Sequence, residues 1–490
     1  MGSSAGMDQI RAAVIDGRTA NIRYRQNELQ SLHQVLRSYV DELLLASTKD
    51  SSGDGSTEPG FEADAEYSHT MSAVKQFYSS LNFEQSHKDE YLLANGADNP
   101  SRRVGKGLVV IRPTTHTRLY SIISPIAAAI TAGNCVCLEL EDTMLNIDRV
   151  LKKILPEALD SDTFYISNTT VQEQSAFVVD QTATTSQPTI NQLSSNLSSR
   201  AIAIVDRAAD VEAAAKAIIN ARFGFQGNSA YSPDLVIVND FVKGRFTEAC
   251  IQYASKFHTK KSQSRRQHVP SSTKKAFKEA EEKGQISVFG SSDFVLADVR
   301  ERNCSITKMK VSGCYLPILQ CTSLVDALMS QKSASTFLAA YLFSDAPTAK
   351  FLAQHLDASV AYVNQIPAHL LIGPAAPSTS QLSPIPHKYS PDMFSSERPE
   401  YIMPPSKELL TLETIIGGTN ATGTEDLVAR ELRKNAVEPL PKTGQPLGHA
   451  VGFFEQGIFL GAGLFLSIVI PSLAYGSWVL GRSAWRFAKH

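Results

Sequence analysis

The chain has 490 residues, 43% of them hydrophobic and 20% charged, with a formal net charge of −2. That length exceeds one ordinary hydrophobic core, so two or more domains are expected, and a near-neutral balance gives no reason to expect nucleic-acid binding. The six cysteines lack the paired spacing of a zinc site or the density of a disulfide scaffold, which leaves buried thiols in a reducing compartment and no metal site.

Residues 8 to 48 carry apolar positions at helical spacing, among them Ile10, Val14, Leu29, Leu32, Leu36 and Leu43. The pattern predicts two amphipathic helices broken near Gly17. The Ser/Gly/Asp/Glu-rich stretch Ser51 to Glu66 reads as a flexible loop. The run Gly107-Leu-Val-Val-Ile-Arg-Pro113 then predicts a buried strand, followed by a helix through Ile122, Ile126 and Ile130 and a second strand at Ala132-Gly-Asn-Cys-Val-Cys-Leu138. Strand–helix–strand alternation of this kind implies a doubly wound α/β domain. Further elements are expected at Leu151–Pro156, Phe164–Ser167, Phe177–Asp180 and the Ala-rich helix from Asp210, which leads into the small-residue turn Gln226-Gly-Asn-Ser-Ala230 and the strand Pro233–Val238. The basic run between Tyr253 and Lys283 reads as a solvated helix face. Finally, residues 457–480 are uncharged and mostly apolar, long enough to cross a hydrocarbon core of about 30 Å.

Several of these stretches together resemble the aldehyde dehydrogenase superfamily, and the start of the chain resembles its class 3, fatty-aldehyde branch. The carriers are Ser124-Pro…Ala132-Gly-Asn-Cys-Val-Cys-Leu138, Asn196-Leu-Ser-Ser-Arg-Ala-Ile-Ala-Ile-Val-Asp206, the turn ending at Ala230 before Pro233-Asp-Leu-Val236, and Gly313-Cys-Tyr-Leu-Pro-Ile318. The resemblance implies a Rossmann-like cofactor domain plus an α/β catalytic domain, followed by a C-terminal transmembrane helix. The expected division is an N-terminal helical region and loop (1–100), a degenerate NAD-binding domain (101–222), a catalytic-like domain (223–400), a flexible spacer (401–456), the span (457–480) and a basic tail (481–490).

The chemistry implied by the resemblance fails at several independent positions. Ala230 stands where the family has its nucleophilic cysteine, and Asn196 where it has the general-base glutamate; an amide accepts no proton at neutral pH. His116, with Thr115, falls in the loop that supplies the oxyanion-binding asparagine. Glu139 and Asp142 occupy the run whose lysine and glutamate hold the adenosine ribose, while Lys310 and Ser312 replace the glutamate and phenylalanine beside the nicotinamide. No glycine follows Asp180 where a phosphate-facing turn is expected, which implies loss or shortening of the cofactor helix. Neither a bound cofactor nor a working catalytic residue is therefore expected, and NAD or NADP is expected only if activity survives.

The leading expectation is a catalytically inactive, membrane-anchored homologue with a binding or scaffolding role, forming a homodimer or pairing with an active paralogue. Its anchor would be single-pass with the bulk facing the cytosol, in the endoplasmic reticulum, mitochondrial outer membrane or peroxisome. The alternative is an oxidoreductase acting on long-chain aldehydes with Ser229 as a substitute nucleophile and His116 as base. A third reading is a lipid or aldehyde carrier that uses the old substrate funnel without chemistry.

Overall fold

The computed structural model describes residues 2–52, 58–141, 143–183, 191–261, 271–291, 294–332, 335–377, 387–403, 412–413, 415–416, 424–445 and 451–487. It divides into two compact units, Met1–Met403 and Pro404–His490.

In the first unit a five-stranded parallel sheet runs in the order β4 (Phe164–Ser167), β3 (Cys135–Glu139), β2 (Leu108–Arg112), β5 (Phe177–Asp180), β6 (Gln192–Ser194). Both faces of its central strands are covered, which is why they read as unbroken apolar runs. Val109 and Ile111 pack with Leu29, Leu32, Leu36 and Val74 from N-terminal helices, whereas Leu108 and Val110 pack with Met7, Ile10 and Ala13. The expected break near Gly17 is present, at φ +71°, but the second N-terminal helix is itself divided into Ile22–Ser38 and Val40–Ser52. The loop expected over Ser51–Glu66 is shorter than read: a helix Phe61–Ser80 begins within it, and burial of Ala63, Glu66 and Thr70 outweighs the polar composition.

The second sheet has seven strands in the order β13 (Ala361–Val363), β12 (Ala339–Phe343), β7 (Ala201–Val205), β8 (Pro233–Asn239), β11 (Tyr315–Cys321), β10 (Phe294–Val299), β9 (Ile286–Ser291), with β9 antiparallel at the edge. Thus β7, which falls inside the 101–222 stretch, pairs in this sheet with β8 and β12. A small antiparallel pair, β1 (Arg103–Gly105) with β14 (Ser395–Glu397), ties the late part of the unit back to the start of the first sheet.

Arg222, fully buried at the end of the helix Val211–Phe223, fixes the turn between the sheets. Its guanidinium donates to the carbonyls of Gly313 (2.7 and 3.1 Å), Val311 (2.7 Å), Gly227 (3.2 Å) and Pro233 (3.4 Å), and lies 3.6 Å from Asp234. Asp234 also accepts from the backbone N–H groups of Ala201 (2.8 Å) and Val311 (3.0 Å). One side chain thereby joins the turn, β8 and the 311–313 segment. Gly227 has to be glycine: its φ is +68°, and a Cβ would stand 2.2 Å from the Gly313 carbonyl oxygen.

The second unit contains two described helices, Thr424–Ala436 and Phe453–Phe487. Residues 424–436 fall in the stretch expected to be a flexible spacer; Ala429, Leu432 and the alternating charges favour helix over coil. The later helix includes a candidate membrane span, Phe453–Leu480, of 28 residues and mean hydropathy 2.1.

Removing the guanidinium leaves Asp234 and four carbonyls underserved in a dry interior, so Arg222→Met should lower unfolding free energy by about 3–5 kcal/mol. Urea denaturation of the full chain, compared with the wild type, measures this.

Candidate functional site

The turn Gly224–Gly227 lies where the cores of the two sheets meet, and Phe225 packs against both. Two successive non-glycine residues there are left-handed, Phe225 at φ 47°, ψ 36° and Gln226 at φ 57°, ψ 22°. Such conformations cost on the order of 1–3 kcal/mol each and persist only under outside restraint. The restraint comes from the N-terminal helices. Glu62 accepts the Phe225 N–H at 3.0 Å, and the Gln226 side-chain amide donates to the Ser51 carbonyl.

Beside this turn is a cavity of about 610 Å³. Ala230, His116, Lys310 and Ser312, far apart in sequence, all line it, together with Asp50, Glu62 and Glu66. Ala230 presents only a methyl group. Ser229, one residue earlier, is buried, is not among the lining residues and accepts the Tyr231 N–H at 3.3 Å, so the structure does not bring it into the site. His116 hydrogen-bonds through Nε2 to the Leu371 carbonyl at 2.8 Å, which assigns the ring proton to that nitrogen. Burial pushes its pKa down to about 4, so the ring is neutral at pH 7.

The other sequence-predicted positions are committed elsewhere. Glu139 accepts from Arg112 Nε at 2.7 Å and from the Val171 N–H at 2.8 Å, and does not line the cavity. Asn196 holds Ser198 in a local turn through its Oδ1, accepting N–H at 2.8 Å and O–H at 2.6 Å, and is likewise outside the lining. Asp142 lies outside the described residues, as do residues 184–190 of the stretch expected to replace the cofactor helix. Neither Asn364 nor His369 lines the cavity: Asn364 bridges the Ser344 backbone at 2.9 and 3.0 Å, and the His369 ring lies tilted against that of His69.

Two cations line the cavity, Arg118, which is paired with Asp148, and the sequence-predicted Lys310. Its Nζ donates to the Ala230 carbonyl (2.7 Å) and to Asp234 Oδ2 (2.9 Å), and its side chain is 18% exposed. Burial pushes its pKa below the ordinary lysine value, with Asp234 opposing the shift and Arg222 and Arg200 reinforcing it.

The carboxylates contributed by the N-terminal helices had no signal in the sequence, because Glu62 and Glu66 lie in a stretch read as loop and Asp50 immediately precedes it. Glu66 accepts the Tyr120 N–H at 3.1 Å, inside the first turn of the helix Arg118–Thr131. Asp50 accepts the N–H groups of Asn146 (2.8 Å) and Ile147 (2.9 Å) at the start of the helix Asn146–Ala158, whose own N-cap residue makes no side-chain bond. Two helix N-termini, each a natural anion site, are thus occupied from within the chain. Gln181 closes the space between β2 and β5, accepting from Thr114 N–H at 3.0 Å and donating to the Ser121 carbonyl at 2.8 Å.

The sequence model of the Aldehyde dehydrogenase family matches residues 173–373, which carry the turn, Ala230 and Lys310. Among curated proteins, aldehyde dehydrogenase family 3 member B2 of Mus musculus is 24% identical over 374 residues, covering 70% of this chain and 76% of that protein. Family 3 member A2 of the same species is 20% identical over 438 residues, covering 80% and 86%. The matched domain and these relatives support a class 3-like assignment within the aldehyde dehydrogenase superfamily. Its fold agrees: a substrate-bound AldH of Staphylococcus aureus aligns with TM-score 0.64 at 19% identity, covering 82% of this chain and 94% of that one. The aldehyde dehydrogenase KauB of Pseudomonas aeruginosa gives 0.63 at 14%, covering 81% and 88%. In this aldehyde dehydrogenase homologue the cavity therefore stands at the turn that carries Ala230.

Desolvation raises the Glu66 carboxyl to about 7, partly offset by the backbone N–H groups of Tyr120 and Leu119. Folded Glu66 holds its proton over a range in which the unfolded carboxyl, near 4.5, has lost it, so stability falls as pH rises from about 4.5 to 7. His116 acts in the opposite sense, its stability contribution being lost as pH falls from about 6.5 to 4. Glu66→Gln should remove the first dependence alone. The wild-type-minus-variant unfolding free energy should change by on the order of 3 kcal/mol between pH 4.5 and 7.5, measurable by urea denaturation across that range.

Proposed function

We propose that this protein is a membrane-associated aldehyde dehydrogenase homologue that binds a carbonyl-containing ligand in the Ala230 cavity without dehydrogenating it. The observation that carries this reading is a cavity retained at the nucleophile turn with a methyl group where the thiolate is needed. An alanine forms no thiohemiacetal, and at position 230 His116, with its one ring proton given to the Leu371 carbonyl, finds a methyl group and no hydroxyl or thiol to activate.

The residues present also suit a dinucleotide poorly. A pyrophosphate needs open backbone N–H groups at a helix N-terminus, and among the described residues Asp50 and Glu66 take those at Asn146, Ile147 and Tyr120. Glu139 is bound to Arg112 and the Val171 N–H rather than open to a ribose, and a cation, Lys310, stands where a ribose-binding carboxylate is needed.

The reading includes a single-pass anchor with the bulk of the chain in the cytosol, and the helix Phe453–Phe487 supports its membrane-association part. Its 28-residue span extends about 42 Å at 1.5 Å per residue, enough to cross a bilayer core with tilt. Tyr475 and Trp478, whose tilted rings lie 6.0 Å apart, suit the membrane interface. Pairing with a second copy or with an active relative is part of the same reading.

Purified full-length protein given hexanal with NAD or NADP should form no NADH or NADPH above background, and Ala230→Cys alone should not restore turnover, since the cofactor positions stay unsuited. Steady reduction of either cofactor by the wild type would refute the proposed function. A charge at the middle of the span costs about 2.5–3.5 kcal/mol of insertion free energy. Leu466→Arg should therefore shift the protein from the carbonate-resistant membrane fraction toward the soluble one, whereas Leu427→Arg, on the helix Thr424–Ala436, should leave it in the membrane pellet.

A further inference from the structure

We propose that Lys310 is a carbonyl-trapping group in the Ala230 cavity, forming a reversible imine with a bound aldehyde. The inference rests on the preceding reading, that the cavity takes a carbonyl ligand without oxidising it, and it names the covalent chemistry.

Lys310 Nζ lies 2.7 Å from the carbonyl oxygen of Ala230, on the wall of the same cavity, so a carbonyl carbon seated against the Ala230 methyl is beside the lysine nitrogen. The second element is the local charge balance. Asp234, fully buried, is the carboxylate shared by Lys310 at 2.9 Å and Arg222 at 3.6 Å. Arg200 adds a third positive charge nearby, with the Thr307 carbonyl (2.7 Å) and the Gln331 amide oxygen (3.2 Å) as its hydrogen-bond acceptors. Three cations around one carboxylate leave an excess positive charge in a dry wall, and lysine alone among them can shed a proton. When it does so, Asp234 keeps its ion pair with Arg222.

The neutral amine then fits its surroundings. It has two N–H groups, matched by the two acceptors present, the Ala230 carbonyl and Asp234, and one lone pair left over. A charged ammonium would carry a third N–H in place of that lone pair. Burial lowers the Lys310 pKa, in keeping with this arrangement.

The step needs no oxidant and no cofactor. The Nζ lone pair forms a C–N bond to the aldehyde carbon while the carbonyl π pair moves onto oxygen. The two amine protons pass to that oxygen, which leaves as water as the C=N bond forms. Addition of water reverses the sequence and releases the aldehyde with the lysine restored. Ser312, Thr115 and Asn228 on the same wall offer hydroxyl and amide donors to the carbonyl oxygen.

The test is reductive trapping. Full-length protein in detergent is mixed with hexanal and sodium cyanoborohydride at pH 7, and modified lysines are located by peptide mass mapping. Lys310 should carry the hexyl group faster than the three-quarters-exposed Lys275 and Lys278, because the cavity holds the aldehyde carbon beside its nitrogen. Lys310→Arg, which keeps a donor beside Asp234, should lose the rapid adduct while unfolding at the wild-type temperature. Labelling of Lys275 and Lys278 with Lys310 unmodified, or modified no faster, overturns the proposal. Hexanal binding detected by ligand-observed NMR with no Lys310 adduct defeats the imine alone, whereas absence of hexanal binding defeats the cavity reading as well.

Discussion

The structure of the first unit depends on the burial of one guanidinium. Arg222 has no exposed surface, yet every direction in which it donates ends on a backbone carbonyl or on Asp234. Burying such a charge is tolerable only with near-complete hydrogen bonding, and that requirement couples the turn at Gly227, the start of β8 and the segment 311–313 into one arrangement. The position of Ala230, of Lys310 and of the cavity between them follows from it.

The N-terminal helices complete that arrangement. In a bare α/β sheet the helix N-termini and a strained turn would face solvent or an anionic ligand. Here Asp50, Glu62 and Glu66 supply carboxylate oxygens to Asn146, Ile147, Phe225 and Tyr120. Glu62, with the Ser51 carbonyl, holds the left-handed Phe225 and Gln226 that would otherwise relax, so these helices act on the site directly as well as through the core. Ion pairs elsewhere follow a similar logic of internal satisfaction, as with Arg118 and Asp148 at 2.9 Å. Polar groups at the positions associated with chemistry are engaged by the chain itself, and the cavity persists alongside them.

Much of the fold was legible because apolar patterning reports burial. Leu108–Arg112 and Cys135–Glu139 are unbroken apolar runs because both sheet faces are covered, and the break at Gly17 followed from a residue tolerant of positive φ. Length and composition likewise exposed the apolar helix that begins at Phe453. The helix Phe61–Ser80 was missed at its start, since Ser, Gly, Asp and Glu favour loops locally while tertiary burial of Ala63 and Glu66 decides otherwise. The site was legible in part: Ala230, His116, Lys310 and Ser312 do converge, whereas Glu139 and Asn196 are drawn into local bonds that no spacing rule reports.

The sequence by itself determined which atoms are available. Ala230 has no nucleophile, Asn196 no basic oxygen and residues 457–480 no charge, and no packing alters those identities. Tertiary structure decided what the remaining groups do, because hydrogen bonding and desolvation depend on neighbours distant in the chain. It set the Lys310 amine between the Ala230 carbonyl and an overcommitted Asp234, it raised Glu66 by withdrawing it from water, and it buried Ser229 away from the cavity that its neighbour lines.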